Sequence, residues 1–277
     1  MTLLDGTAYA KAIRAKITDR VHALPSKPGL AILLIGDDPA SHVYVNLKQH
    51  ACEEAGIFFE RHIYPADVPE EKLVEDIQTL NARSDIHGIL VQLPLPTQNA
   101  DHVIAAIQPN KDVDGFHTKN LEALRAGKPT IAPAVALGIM KLIDKALGDA
   151  SRSALHTTIV SSTFFAEPLQ ILLREQGITS SVTHPEDESF FTETKKADIL
   201  IVAKGKPHLI NGSMIKEGAV LIDVGTTKQN GILVGDVDRA SVEPVAGALS
   251  PVPGGVGPMT VAMLLLNVLN AYLKQQA

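Results

Sequence analysis

The sequence predicts an α/β protein made of two domains of parallel-sheet type. Short apolar runs such as Leu30–Ile35 and Gly88–Leu93 lack the alternation of a half-exposed strand, so they read as strands buried on both faces. Stretches with helical periodicity stand between such runs, and that alternation is the signature of a parallel sheet covered by helices. At 277 residues the chain is long enough for about two domains, each with its own core.

Thr7 to Leu24 has helical spacing, with Ile13, Ile17 and Val21 on one stripe. The strand Leu30–Ile35 is followed by a helix that Ser41 would cap and Gly56 would stop. Phe58–Tyr64 alternates as a strand, Glu70–Ala82 is an amphipathic helix, and Gly88–Leu93 is a strand stopped by Pro94 and Pro96. A short helix over Ala100–Gln108 and another over Leu137–Leu147 lead into a second alternating region. It comprises strands at Thr157–Val160, Ser180–Thr183, Ile199–Val202 and Val220–Val224, and a helix over Glu167–Gln176. Asn230-Gly231 is a hairpin turn signal. A helix from about Met259 to Leu273 ends the pattern, and the domain boundary falls near Pro133 to Gly138.

Hydrophobic residues make up 45% and charged residues 20%, the proportions of a globular protein. The net charge of −6 points away from a nucleic-acid partner. The single cysteine, Cys52, excludes an intrachain disulfide and fits a reducing cytoplasm. The N-terminus lacks the pattern of a signal peptide. Val261–Leu269, interrupted by Asn267, reads as a core-packed helix and not as a membrane span. No metal site is expected.

Tyr44 and Lys48 are four residues apart and share a helix face beside a strand end. A lysine in a partly dry pocket can be tuned to move a proton near neutral pH; the alternative is a solvated surface lysine beside a half-buried tyrosine. Gln92 closes an apolar strand and would orient the lysine amine or simply cap the strand. Asp114, in Val113-Asp114-Gly115, would grip a ligand with an amino group beside a ring N–H, or only form a turn.

Taken in order, these stretches resemble the bifunctional methylenetetrahydrofolate dehydrogenase–methenyltetrahydrofolate cyclohydrolase family. The matching segments are Pro39-Ala40-Ser41…Tyr44-Val45…Lys48, Gly88 to Pro96, Lys111 to His117, and Pro251 to Thr260. Ala197-Asp198-Ile199, Gly205-Lys206-Pro207, Asp223-Val224-Gly225 and Gly235-Asp236-Val237 also fit, so the likeness covers nearly the whole chain. The resemblance implies a folate-binding catalytic domain over 1–136, completed by a helix over 258–277. It implies a Rossmann-like dinucleotide-binding domain over 137–257, with a cleft between the two. It makes Lys48 the essential lysine, with Tyr44 beside it and Gln92 holding its amine. Asp114 would hold the pterin, and the Pro253-Gly254-Gly255 loop would close over the same tetrahydrofolate substrate. It further implies NADP as cofactor and a homodimer.

One part of the chain departs from the family pattern. The dinucleotide turn usually reads Gly-x-Ser-x-x-x-Gly-x-Pro. Here Val160 stands for the first glycine, Ser161 follows, Ser162 keeps the serine, and Ala166 stands for the second glycine before Pro168. Glycine lets the backbone approach a pyrophosphate, and Glu167 at a helix start would compete with one. Glu186, Asp187 and Glu188 would oppose a 2′-phosphate, which makes NAD less unfavourable than NADP. Thr226 replaces an isoleucine that the family sets against the cofactor, and Pro133-Ala134-Val135-Ala136 replaces Pro-Cys-Thr-Pro. The expectation is therefore a cyclohydrolase, converting 5,10-methenyltetrahydrofolate to 10-formyltetrahydrofolate, with its dehydrogenase impaired or lost. The alternatives are the full NADP-dependent bifunctional enzyme and a folate-binding paralogue without turnover.

Overall fold

The computed structural model describes residues 1–276. Its strands are β1 (Thr2–Leu3), β2 (Gly29–Ile35), β3 (Phe58–Tyr64), β4 (Gly88–Val91), β5 (His156–Val160), β6 (Thr179–Thr183), β7 (Ile199–Val202), β8 (Val220–Asp223), β9 (Thr227–Gln229), β10 (Ile232–Val234) and β11 (Ala248–Ser250). Its helices are α1 (Gly6–His22), α2 (Pro39–Ala55), α3 (Glu70–Ala82), α4 (Ala100–Ala105), α5 (Thr118–Arg125), α6 (Ala134–Leu147), α7 (Thr163–Glu175), α8 (Phe190–Lys196), α9 (Arg239–Val242) and α10 (Val256–Gln275). The fold class is α/β with parallel sheets, as the alternating pattern predicts.

The chain forms two compact units. The first comprises Lys11–Ala134 and the chain from Val261 on; the second comprises Met1–Ala10 and Val135–Thr260. The expected assignment of 1–136 to one domain needs a correction at its start. Thr2 and Leu3 pair with Ala248 and Leu249, so β1 extends the sheet of the second unit. Two residues of strand are too short a signal to read from sequence. The helix expected to complete the folate domain from 258 likewise joins the first unit only from Val261.

The first unit holds a three-stranded parallel sheet in the order β3-β2-β4. β2 lies in the middle and all seven of its residues are buried, which is why its sequence is uniformly apolar. β3 is an edge strand: none of its seven residues is fully buried, and Phe58 and Ile63 are exposed, so the alternation expected from its sequence does not appear as alternating burial. One side of this sheet packs Leu33, Ile35, Ile89 and Val91 against Leu73, Ile77 and Leu80 of α3. α10 is long and apolar enough by composition to cross a membrane, yet 67% of its most apolar window is buried within the protein. Asn267, the polar break in that window, donates to the carbonyls of Val113 and Ala132 at 2.9 and 3.0 Å.

The second unit holds a six-stranded parallel sheet in the order β1-β11-β8-β7-β5-β6. The chain steps from β5 outward to β6 and then crosses back to β7 on the other side of β5. That reversal is the switch point at which open α/β sheets bind ligands, outside the carboxyl ends of the strands. β9 and β10 form the expected hairpin, with Asn230 and Gly231 at φ 51° and 83°. Positive φ at both central residues marks a turn whose twist matches that of the strands.

Two buried carboxylates brace the loops that follow β7 and β8. Asp223 accepts the N–H groups of Gly225, Asp236 and Val237, each at 3.0 Å. Asp236 accepts those of Lys204 and Gly205 at 2.6 and 2.9 Å. Burial pushes the Asp223 carboxyl up to about 7, against the pull of its N–H donors. Between an unfolded value near 3.8 and that point, the folded state keeps a proton that the unfolded chain has released. Stability therefore falls as pH rises through this window, by about 1.4 kcal/mol per unit for one proton, and levels off above it. The destabilisation caused by Asp223→Asn, measured by urea unfolding, should shrink between pH 4 and 7. A cost that stays constant would mean that Asp223 ionises at its ordinary value.

Candidate active site

Asp38 starts the site by starting α2. Its side chain accepts the N–H of Ser41 at 2.7 Å, and Pro39 occupies the first turn. Ser41 was expected to be the cap; Asp38 takes that place because the following proline is already preset for the first turn, so the helix begins three residues earlier. Gly56 ends the helix at φ 74°, as expected. Within α2 the buried residues Ser41, Val45, Lys48, Cys52 and Ala55 form one stripe at the spacing of a core-facing helix. Lys48 lies in the middle of that stripe and is only 9% exposed, which excludes a solvated surface lysine.

The Lys48 Nζ donates to Oε1 of Gln92 at 2.8 Å. Gln92 follows β4 directly, and its backbone N–H continues the sheet by bonding the Leu33 carbonyl at 2.9 Å. Its Nε2 donates to its neighbour's carbonyl, that of Leu93, at 2.8 Å. With the amide nitrogen so engaged, the amide oxygen is turned to the amine. Tyr44 is half-buried one turn before Lys48.

Asp114 reaches the same site through a loop attached to β4. Ile89 bridges to Asp112 in parallel, and the Ile89 N–H bonds the Lys111 carbonyl at 2.7 Å. Burial holds the Lys48 ammonium below the usual lysine range, while the charge of Asp114 partly offsets the effect. Burial pushes the Asp114 carboxyl up, and Lys48 draws it back. The site thus holds an amine that gives up its proton more easily than in water, an amide that orients it, and a carboxyl whose charge acts on it. Such a group can take a proton from water attacking a cationic carbon.

The other expected residues lie in the second unit. Gly254 has φ 104°, and its carbonyl accepts the N–H of Thr7 at 3.0 Å, which holds the Pro253–Gly255 loop to the N-terminal segment. Ser161 and Ser162 follow β5 at the switch point, and the exposed Thr226 follows β8.

Val160 requires a correction. It is the last residue of β5, fully buried, and its side chain packs with Leu200, Val202 and Leu221 in the core. Its branched bulk is therefore spent inside the sheet unit and not at the approach to a phosphate. Glu167 requires another. Ser162 caps α7 by accepting the Phe165 N–H at 3.3 Å, so the helix begins at Thr163, Glu167 is its fifth residue, and its first turn holds no acidic residue. Of the three carboxylates after β6, Asp187 is exposed and accepts the His184 N–H and the Thr183 hydroxyl. Glu186 is paired with Lys206 at 3.2 Å.

Asp112, Asn120 and Asn267 were not recognised from sequence as parts of this site. Asp112 stands in the quoted Lys111–His117 segment, two residues before Asp114, and its burial was the missing information. No group of three or more His, Cys, Asp or Glu able to hold a metal occurs among the described residues.

Two parallel-sheet units, one with a buried lysine and carboxyl and the other with a capped helix following the strand at its switch point, define a class of two-part α/β protein with a dinucleotide-type fold in its second part. Comparison with known proteins agrees. The tetrahydrofolate dehydrogenase/cyclohydrolase catalytic domain matches residues 4–114, and the NAD(P)-binding domain of the same family matches residues 133–276. The bifunctional protein FolD of Bordetella bronchiseptica is 48% identical over 274 residues, spanning 97% of this chain and 96% of the relative. The FolD of Polynucleobacter asymbioticus is 47% identical over the same length and the same shares. The crystal structure of the bifunctional FolD from Campylobacter jejuni superposes with a TM-score of 0.93 at 38% identity, covering 99% of both chains. That of the Trypanosoma brucei enzyme, complexed with NADP and an inhibitor, does so at 0.91 and 33%, covering 98% of this chain and 96% of that one. The chain belongs to the tetrahydrofolate dehydrogenase/cyclohydrolase family, and it is an enzyme of one-carbon folate metabolism.

Cys52, one turn beyond Lys48 on the same stripe, is buried, and burial pushes its thiol up to about 12. Such a thiol carries almost no thiolate at neutral pH. Native protein should resist iodoacetamide at pH 8 and react stoichiometrically once unfolded in guanidinium. Rapid labelling of the native form, read by intact mass, would show that the stripe opens.

Proposed function

We propose that this chain is the full bifunctional enzyme. It oxidises 5,10-methylenetetrahydrofolate to the 5,10-methenyl cation with NADP and hydrolyses that cation to 10-formyltetrahydrofolate. The observation that carries the reading is the buried Lys48 amine held by Gln92 at 2.8 Å, under the charge of Asp114.

The hydrolytic step follows from that arrangement. The substrate's own positive charge disfavours a second cation beside it, which favours the neutral amine of Lys48 further. The neutral amine takes a proton as water adds to the methenyl carbon. The tetrahedral adduct then loses its N5–carbon bond, N5 takes up a proton, and the adduct hydroxyl becomes the formyl carbonyl as its own proton leaves. One proton is released overall. Gln92 keeps the amine aimed, and Tyr44 flanks it. Asp114 accepts hydrogen bonds from the pterin amino group and ring N–H, partners that a carboxylate in a dry site needs.

The earlier expectation of a lost dehydrogenase gives way to this reading because three of its grounds weaken. Val160 points into the core, Glu167 is a turn away from the helix start, and Glu186 is balanced by Lys206. Ala166 remains, as a single buried methyl group in place of a glycine. The turn after β5 fits a pyrophosphate by the chemistry of its donors, since Ser161, Ser162 and the start of a 13-residue helix without early acid meet there. Ser161, Ser162 and Thr226 are the residues that would hold the dinucleotide. When bound, NADP supplies the acceptor for the hydride that leaves the methylene carbon. The family domain over 133–276 and the NADP complex of the T. brucei relative support this half of the reading.

Purified protein should accelerate the loss of methenyltetrahydrofolate absorbance above the buffer rate. After subtraction of the spontaneous reaction, kcat/KM should rise with pH through a step below the ordinary lysine range. Lys48→Met should remove both the step and at least ~100-fold of the rate. A Lys48→Met protein as fast as the parent would overturn the role of Lys48.

Direct titration should find NADP binding in the micromolar range, with methylenetetrahydrofolate-dependent formation of NADPH. Cyclohydrolase turnover with no binding of NADP or NAD would restore the monofunctional reading. Folate binding without either activity would indicate the paralogue that lacks turnover.

A further inference from the structure

Asp114 is the residue to which the functional reading gives the folate, yet it sits in a loop, and a loop side chain is only as well aimed as the peptides on either side of it. Both of those peptides are held. The carbonyl of Val113 receives the Asn267 side chain at 2.9 Å. The carbonyl of Asp114 receives the Ala134 N–H at 3.0 Å, and the N–H of Gly115 goes to the Asp112 carboxylate at 3.2 Å. Gly115 has φ 89°, and a Cβ there would lie 2.6 Å from the backbone of Ala132 and Pro133, so the loop is pressed against that segment.

Asp112 does more than close one turn. Its second oxygen accepts the His117 N–H at 2.8 Å and the Asn120 side chain at 3.0 Å. Asn120 passes its remaining bonds to the Pro109 carbonyl at 2.8 Å and the Thr130 hydroxyl at 3.1 Å. Asp112 and Asn120 are both almost fully buried, as is Asn267. A buried carboxylate is costly to keep, and its three donors all come from the segment that follows it. An asparagine of the same shape could not replace it, because one of its two ends would turn an N–H toward another N–H.

We propose that Asp112 and Asn267 are positioning residues for Asp114, fixing the direction of its side chain toward the folate. Asp112 grips the peptide after Asp114 from inside the loop, and Asn267 grips the peptide before it from the C-terminal helix. The inference rests on the reading of Asp114 as the folate-binding carboxylate.

The test uses the full chain, with 5,10-methenyltetrahydrofolate as probe, and reads kcat, KM and thermal midpoint together. Asp112→Asn should raise KM by about tenfold while kcat stays within about twofold, the mark of lost binding shared by ground and transition states. Asn267→Ala should give the same split, which keeps the proposal testable if Asp112→Asn folds poorly. Lys111→Met is the control. Lys111 donates to the carbonyls of Asn81 and Arg83 at 2.9 and 2.6 Å and ties the start of the same loop to the end of α3. It touches neither peptide beside Asp114, so its loss should lower the thermal midpoint without moving KM. If Lys111→Met raises KM as much as the other two at an equal loss of midpoint, general loosening explains the effect and the proposal falls. Unchanged KM in both Asp112→Asn and Asn267→Ala would also overturn it. A parent protein that neither binds nor hydrolyses the probe overturns the functional reading first, and that result is distinct from an active parent with indifferent variants.

Discussion

A single hydrogen bond, from the Lys48 amine to the Gln92 amide, is the constraint on which the first unit depends. An amine taken out of water costs free energy unless it finds a partner, and the cost grows with burial. The protein meets it with one neutral acceptor and one nearby carboxyl. A closer full ion pair would have locked the ammonium on; no partner at all would have left the amine neutral and unaimed. The arrangement stands between these limits and holds the ammonium proton less firmly than water would. The buried sheet supports it from below, since β2 leads into the helix of Lys48 and β4 leads directly to Gln92.

The second unit solves a different problem with similar means. Its sheet has to leave open the point at which the chain reverses, and the loops around that point have to be held without covering it. Asp223 and Asp236 do this by collecting backbone N–H groups from three successive stretches, around 204, 225 and 236. Buried carboxylates therefore serve as loop clamps in both units, at Asp112 in one and Asp223 in the other.

Much of this was legible in the sequence. The apolar runs of β2, β7 and β8 declare themselves because strands buried on both faces have no reason to alternate. Gly56 and Asn230-Gly231 declare themselves because few other residues tolerate positive φ. Lys48, Gln92 and Asp114 were visible as a set, although only the structure could separate a buried amine from a surface one. The misreadings have a common cause. Val160 and Glu167 were judged by position in a motif, and a motif does not say which way a side chain points. Val160 faces inward because the strand continues through it, and Glu167 falls outside the first turn because Ser162 takes the cap. β1 was missed because its partner strand lies some 246 residues away, a separation that no local pattern records.

The bond from Asn267 to the Val113 carbonyl spans 154 residues of chain. Every strand of the second sheet except β1 is made between its two ends. On the ribosome the first unit must therefore wait, with α10 absent and its apolar face open, while the second unit is synthesised and folds. Contacts of such long sequence separation slow folding and expose unfinished surfaces to aggregation. The geometry that braces the Asp114 loop thus also sets the order of assembly: most of the first unit is translated early, yet it is the last to be completed.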